Sequence, residues 1–253
     1  KMDRAGANAQ RVIEQLREKL NHKAAFVTIP IGAEEKFAGV INLVLMKAYE
    51  FHGDNGENIV EKDIPADLLP LAKEKRAELI TTLADVDEEI GNLFLEEKEP
   101  TVAQLDAGIR RAAIALKFTP VFVGSAYKNK GVQKLLDGVV AYLPNPHEKK
   151  NFALDQNKSE EKVELLAEEG KPLVALAFKL EDGRYGQLTY MRIYQGKIQK
   201  GEFVVNMANQ KRVKVPRVVR MHADEMNDIT EATAGDIVAL FGVECSSGDT
   251  FTD

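Results

Sequence analysis

Apolar residues recur along this chain first at helical spacing, then in strand-like runs, then at helical spacing again, and finally in strands alone. After the small-residue stretch 5–9, Val12, Ile13, Leu16 and Leu20 share one helical face and predict a helix that follows Asp3 almost at once. Residues 24–31 and 37–46 are β-rich apolar runs separated by Gly32 and a short charged turn, so they read as strands of a small sheet. Asp54-Asn55-Gly56 is a turn signal. From about Asp67 to Leu116 the helical period returns, with one stripe at Leu68, Ala72, Leu79 and Leu83 and another at Leu105, Ile109, Ala112 and Leu116. The second stripe begins at Thr101-x-x-Gln104, a capping box able to satisfy the free amides at a helix start. Two or three helices fit this region. Thr119 to Gly124 is a short apolar run of the kind a buried parallel strand needs, followed by an amphipathic helix through Val132, Leu135, Leu136, Val139, Val140 and Leu143 that Pro144 and Pro146 end.

Residues 147–171 are charged, with few large apolar groups, and read as a partly mobile linker. From Pro172 onward short alternating runs at 173–180, 187–194, 203–207, 211–221 and 237–243 are separated by turn signals such as Asp182-Gly183, Gln195-Gly196 and Ala234-Gly235. That regular spacing predicts a closed barrel, because closure removes exposed strand edges.

Composition changes this picture little. Of 253 residues 44% are hydrophobic, which is enough for one large or two ordinary domains, and the net charge of -6 gives no general argument for nucleic-acid binding. Any RNA contact must come from a local patch. No apolar run approaches the ~18 residues of a membrane span, and Lys1-Met2-Asp3 lacks the layout of a signal peptide. A single cysteine, Cys245, excludes an internal disulfide framework and is expected to be a packing residue. The four histidines His22, His52, His147 and His222 are scattered without ligand spacing.

Two short motifs carry candidate chemistry: Lys1-Met2-Asp3 ahead of the first helix, and Gly124-Ser125-Ala126 at the end of an apolar strand. Each alone has a plain reading, as a charged turn favouring a helix dipole or as a lead-in to a helix. Together, each at a strand-to-helix junction, they match the needs of guanine binding at the carboxyl ends of parallel strands. Guanine presents two adjacent donors, and one carboxylate can accept both, whereas adenine would leave a buried carboxylate unpaired. Such a site can reject the wrong base by about 10⁴. In this reading Asp3 accepts from the base, Lys1 covers it, and the amide of Ala126, beside Ser125, donates to the base carbonyl.

The segments Lys1-Met2-Asp3-Arg4-Ala5-Gly6-Ala7-Asn8, Ile64-Pro65-Ala66-Asp67-Leu68, Phe94-Leu95-Glu96-Glu97, residues 124–133 and Tyr142-Leu143-Pro144-Asn145-Pro146 resemble elongation factor G. Phe178-Lys179-Leu180, Gly186-Gln187-Leu188-Thr189-Tyr190, Met221-His222-Ala223-Asp224 and the stretches 241–245 and 249–253 resemble its mitochondrial members in particular. The resemblance covers the whole chain apart from the linker. It implies an α/β remnant of a P-loop GTPase domain in residues 1–146, an α+β inserted subdomain at about 24–118, a linker at 147–171 and an all-β barrel domain at 172–253. It further implies a factor that uses GTP with magnesium to move tRNA and mRNA on the ribosome, acting as a monomer away from membranes in the mitochondrial matrix or the bacterial cytoplasm. The family's base motif carries an asparagine directly before the lysine, and this sequence starts at Lys1. No Gly-x-x-x-x-Gly-Lys-Ser/Thr occurs, so these residues supply no phosphate cradle and no hydroxyl for magnesium, and they are expected to hydrolyse no GTP alone. Asp3-x-x-Gly6 matches the GTPase switch signature only formally. A non-enzymatic ribosome- or protein-binding module, or a sister recycling, release or ribosome-protection factor, remains the alternative.

Two charged surfaces complete the reading. Lys211, Arg212, Lys214, Arg217 and Arg220 crowd the barrel with no acidic residue between Phe203 and Met221; they read as phosphate contacts to small-subunit ribosomal RNA, or as a solvated strand face. Asp85, Asp87, Glu88 and Glu89 are the densest part of an acidic region in the insert. The resemblance implies contact there with the stalk protein of the large ribosomal subunit, and the alternative is simple helix N-terminal acidity.

Overall fold

The structure, a computed structural model, describes residues 1–183, 186–223 and 225–253, so Asp224 of the His222 motif lies outside the described residues. The chain divides into two compact units, Lys1–Leu143 and Pro144–Asp253.

In the first unit, α1 (Ala9–Leu20) begins at Asn8, whose side chain accepts from the Arg11 amide at 2.9 Å, and ends at Asn21 in the left-handed conformation that Asn tolerates. The apolar run 24–31 splits at Val27. Its first part, β1 (Ala24–Phe26), pairs in parallel with a later strand, while β2 (Thr28–Ile31) opens an antiparallel meander with β3 (Gly39–Asn42), β4 (Lys47–His52) and β5 (Asn58–Lys62). The run 37–46 stops being a strand at Asn42, because its side-chain oxygen accepts from the amides of Val44 and Leu45, both at 2.9 Å, and turns the chain. Leu43 and Val44 are buried within that turn. β5 carries no period-2 signal because all five of its residues are exposed.

Three helices follow: α2 (Leu69–Ala84), α3 (Glu88–Leu95) and α4 (Val102–Ile114). The Thr101/Gln104 capping box is present in both directions at the start of α4. Leu79, Leu83, Ile90, Leu105 and Ile109 are fully buried and lock the three helices into one core with the meander. Arg76 on α2, which no motif marks, sends one guanidinium nitrogen to the carbonyls of Leu43 (2.6 Å) and Val44 (2.8 Å) and another to Glu99 (2.9 Å). It ties the helical layer to the β3–β4 turn.

The chain then returns to β6 (Thr119–Val121), parallel to β1 with Ala24, Ala25 and Phe26 opposite Thr119, Pro120 and Val121. Its residues are half-buried rather than enclosed, since β1 is its single strand partner among the described residues. α5 (Val132–Tyr142) follows. The sequence stripe on α5 points the other way from expectation: Leu135, Leu136, Val139 and Val140 are exposed, while Gly138 and Tyr142 are buried. Gly138 sits so close to the Phe122 ring that a β-carbon would lie 2.3 Å from it, which lets the polar-seeming side of the helix face inward.

In the second unit, the stretch with linker-like composition carries a hairpin, β7 (Asn151–Asp155) with β8 (Glu161–Leu165), whose charged, half-exposed faces hide its alternation. An eight-stranded antiparallel sheet follows, built from β9 (Val174–Gly183), β10 (Gly186–Gln195), β12 (Phe203–Asn206), β13 (Lys211–Lys214), β14 (Arg217–His222), β15 (Glu225–Ile229), β17 (Ile237–Phe241) and β18 (Thr250–Thr252). Their spatial order is β13-β12-β18-β9-β10-β17-β14-β15. A separate pair, β11 (Lys197–Gln199) with β16 (Glu231–Thr233), joins the chain leading into β12 to the chain leaving β15. It therefore brings the two ends of the sheet order together. One core cluster accordingly holds both Val204 of β12 and Val218 of β14, with fully buried Met191, Ile193, Ile198 and Phe251. Register shifts on β10 at Tyr190/Met191 and Ile193/Gln195 supply the curl that this requires. Cys245 is a half-buried member of the packing around this core, and burial pushes its thiol pKa up.

Candidate guanine-base site and charged surfaces

The fold brings the two candidate motifs together. β6 delivers Gly124 beside the start of the chain, where the main-chain nitrogens of Lys1 and Met2 lie 3.0 and 3.1 Å from its carbonyl oxygen. The Ser125 side chain lies beside the Asp3 carboxylate and is the largest influence holding its pKa below the usual carboxylate range. Asp3 is therefore an ionised acceptor at neutral pH, its side chain 15% exposed. Ser125 is buried and is fixed by a two-way bridge to Lys130, with N···O distances of 2.8 and 3.0 Å. Ala126 is exposed in the same turn, and among the described residues its amide donates to no backbone oxygen. Lys1 is exposed alongside. Asp3, Lys1 and the Ser125–Ala126 turn thus lie on two segments that the Gly124 carbonyl joins. Among the described residues no group of three or more His, Cys, Asp or Glu is placed to hold a metal ion.

Sequence reasoning missed Glu34. It lies on the β2–β3 loop, donates its own N–H to the Met2 carbonyl at 2.7 Å, and accepts the Gly6 N–H at 2.6 Å through its side chain. A residue 28 positions away in sequence leaves no local pattern to read.

The acidic group of the insert is not uniform. Asp85, Glu88 and Glu89 are exposed, but Asp87 is buried and engaged on all sides. Its side chain caps α3 through the Ile90 amide at 3.1 Å and forms a two-pronged pair with Arg111, both bonds at 2.8 Å. Arg111 is the main reason that the Asp87 carboxyl is held below its ordinary range. The same guanidinium reaches Glu89 at 2.9 Å.

The basic group is divided too. Lys211, Arg212 and Lys214 project from β13 at the end of the sheet order, with Arg212 stacked over Phe203 at 4.4 Å. Arg217 on β14 is held in a fork by Asp228 (2.6 and 3.0 Å) and lies over Phe241, and Arg220 pairs with Asp236 at 3.3 Å. The net positive field therefore concentrates on β13.

Residues 186–252 match the family described as Elongation factor Tu domain 2. Over all 253 residues the chain is 57% identical to the Arabidopsis thaliana protein "Elongation factor G-1, mitochondrial", and it spans 34% of that relative's length. A crystal structure from Thermus thermophilus superposes on the whole chain with a TM-score of 0.77, covering 35% of that protein at 22% identity, a likeness of fold alone. No helix among the described residues is long and apolar enough to cross a membrane.

Proposed function

The chain belongs to the elongation factor G family, spanning about a third of the mitochondrial relative it matches, and from that premise we propose that it is the base-recognition and ribosome-contact portion of a GTP-hydrolysing translocase. The observation that supports this reading is the meeting of two motifs more than a hundred residues apart in sequence, where the nitrogens of Lys1 and Met2 reach the Gly124 carbonyl and Ser125 lies beside Asp3. Residues 1–146 are then the remainder of a P-loop GTPase domain with an α+β insert at 24–118. The open apolar face of α5 supports this, since such a face is covered in a complete α/β domain. Residues 172–253 are a closed β-barrel domain, a reading supported by the β11–β16 pair that draws the sheet's two ends together.

In the complete factor GTP binds with magnesium, whose role is to neutralise charge on the transferring phosphate. This chain's contribution is to bind and orient the base through Asp3, Lys1 and the Ala126 amide. The base contacts amount to about two or three hydrogen bonds at roughly 1 kcal/mol each, below the ~4 kcal/mol of millimolar affinity. The 253 residues alone should therefore show no calorimetric GTP binding, and micromolar affinity would overturn that expectation. The cations of β13 contact ribosomal RNA of the small subunit, and the exposed Asp85, Glu88 and Glu89 steer the large-subunit stalk protein. The factor works in the mitochondrial matrix on the tRNA–mRNA complex.

The test is a base switch in the full-length factor. Asp3→Asn replaces an acceptor with a donor, so GDP affinity should fall at least a hundredfold, by about 3 kcal/mol, while xanthine nucleotide, which offers a carbonyl at that position, should bind better. Unchanged preference for guanine rejects the site.

A further inference from the structure

The four-stranded meander β2–β5 has two hairpin loops at one end, and both touch the candidate base site. The β2–β3 loop is tight at Gly32, where φ is +75° and a β-carbon would sit 2.1 Å from the Lys36 carbonyl oxygen. That turn presents Glu34, itself at φ +57°, a conformation that non-glycine residues adopt rarely and that marks a constrained position. Glu34 then brackets the segment carrying Asp3, holding the Met2 carbonyl on one side and the Gly6 amide on the other, at 2.7 and 2.6 Å. The Phe37 carbonyl of the same loop accepts the Lys130 side chain at 3.1 Å, and Lys130 is the backbone partner of Ser125. The β4–β5 turn closes on the other half of the site. Gly56, at φ +63°, packs so tightly on the 128–129 backbone that a β-carbon would lie 2.7 Å from the Lys128 carbonyl oxygen.

We propose that Glu34 is a positioning residue for guanine recognition, and that this end of the inserted meander holds the Asp3 segment and the Ser125–Ala126 turn in register. The proposal rests on the reading of those two segments as a base site. Neither segment lies in a helix or an extended sheet, so their mutual placement depends on what braces them, and a site of this kind loses discrimination when its acceptor can drift. Glu34 fixes the Asp3 loop from both sides with one residue. Its exposed carboxylate supplies one of these bonds, from the Gly6 amide, and its own backbone amide supplies the other, to the Met2 carbonyl.

Glu34→Asn tests it, because Asn tolerates positive φ but its shorter side chain does not reach Gly6, while Glu34→Gln keeps both the length and a carbonyl acceptor. In this chain, the Gly6 amide should exchange with deuterium about tenfold faster in E34N and at the original rate in E34Q. In the full-length factor, E34N should weaken GDP binding about three- to tenfold through faster release. It should also shrink the preference for GDP over IDP, whose hypoxanthine lacks the exocyclic amine that Asp3 accepts, and E34Q should restore both. A merely structural role would lower the melting temperature and leave the GDP/IDP ratio alone, and that result overturns the proposal, as does unchanged Gly6 exchange. The two readings fail separately. If Asp3→Asn switches base preference and E34N leaves GDP binding intact, the site stands and Glu34 has no part in it. If Asp3→Asn changes nothing, the base site and the proposal fall together.

Discussion

Asp87 illustrates how one carboxylate's surroundings fix its role. Its side chain is 6% exposed and satisfies both a helix N-terminus and Arg111, so its charge is consumed inside the molecule and is not free to steer a partner. Asp87→Ala should cost about 2–3 kcal/mol, from the lost cap and from an Arg111 fork left without its main partner, the latter discounted because Arg111 is 44% exposed. Asp87→Asn keeps a good cap and should cost only about 1 kcal/mol. Urea unfolding of the chain at unchanged m-value checks the order of the two. The pH dependence has a definite sign: the folded pKa lies below the unfolded value, so the stabilisation is complete above the ordinary aspartate range near 4 and is lost as pH falls through the folded pKa. The Asn variant should lose that acid-sensitive component. Arg76 is the cationic counterpart, with a side chain 13% exposed and carbonyl acceptors in the β3–β4 turn. Arg76→Lys should destabilise by about 1–2 kcal/mol despite keeping the charge, because an ammonium cannot serve the turn carbonyls and Glu99 with one planar fork.

Among the elements, those with a strong internal signal were legible. Thr101 and Gln104 announce α4 because a capping box is a local chemical fact, and the apolar stripes of α2 and α4 mark buried or half-buried residues except at Leu116, which lies past the end of α4 in the left-handed conformation and is exposed. Elements whose stability comes from neighbours were not. β5 is exposed along its length, and the 151–165 hairpin keeps Phe152 and Leu154 half in solvent, with Lys162 laid over the Phe152 ring at 4.0 Å, so composition alone reads as linker. The base site was legible in its two motifs but not in Glu34, whose role depends on a left-handed loop and on a partner far along the chain. The same distinction sorts the basic patch. Arg217 and Arg220 look like Lys211 and Lys214 in sequence, yet only the strand pairing reveals Asp228 opposite Val219, where it can take Arg217. Reversing the charge at Lys211, Arg212 and Lys214 together should therefore weaken ribosome association of the full factor and lower its salt-dependence slope by about 2–3, near 0.9 for each phosphate no longer neutralised. Salt titration of binding measures this directly, and an unchanged slope rules out the β13 surface as an RNA-binding one.

For the molecule as a whole, each unit owns its core. The buried cluster through Ile13, Leu79 and Ile109 stays within the first unit, and those through Met191 and Leu188 within the second, so neither hydrophobic core needs the other's residues. Residues 144–253 made alone should fold to a dispersed, cooperatively melting β domain. The position of the cut matters, for a reason that composition conceals. Although residues 166–172 look like spacer, the Leu166 amide donates to the Gln195 side chain at 3.0 Å, the Gly196 amide to the Glu168 carbonyl at 2.9 Å, and the Gln195 side chain to the Pro172 carbonyl at 3.0 Å. Gly196 permits this approach because a β-carbon there would sit 2.7 Å from the Lys171 carbonyl oxygen. A domain begun at Pro172 keeps the sheet but loses the first two of those bonds and leaves the Gly196 amide without its acceptor, so it should be less stable than the 144–253 domain by about 2–3 kcal/mol. A Gly196→Ala change should be costly in both domains, because a β-carbon there would also lie 2.8 Å from the Leu173 backbone that each of them keeps, on top of the strain of its positive φ. Equal midpoints for the two domains in urea would show that the segment carries no stability and is the spacer its composition describes.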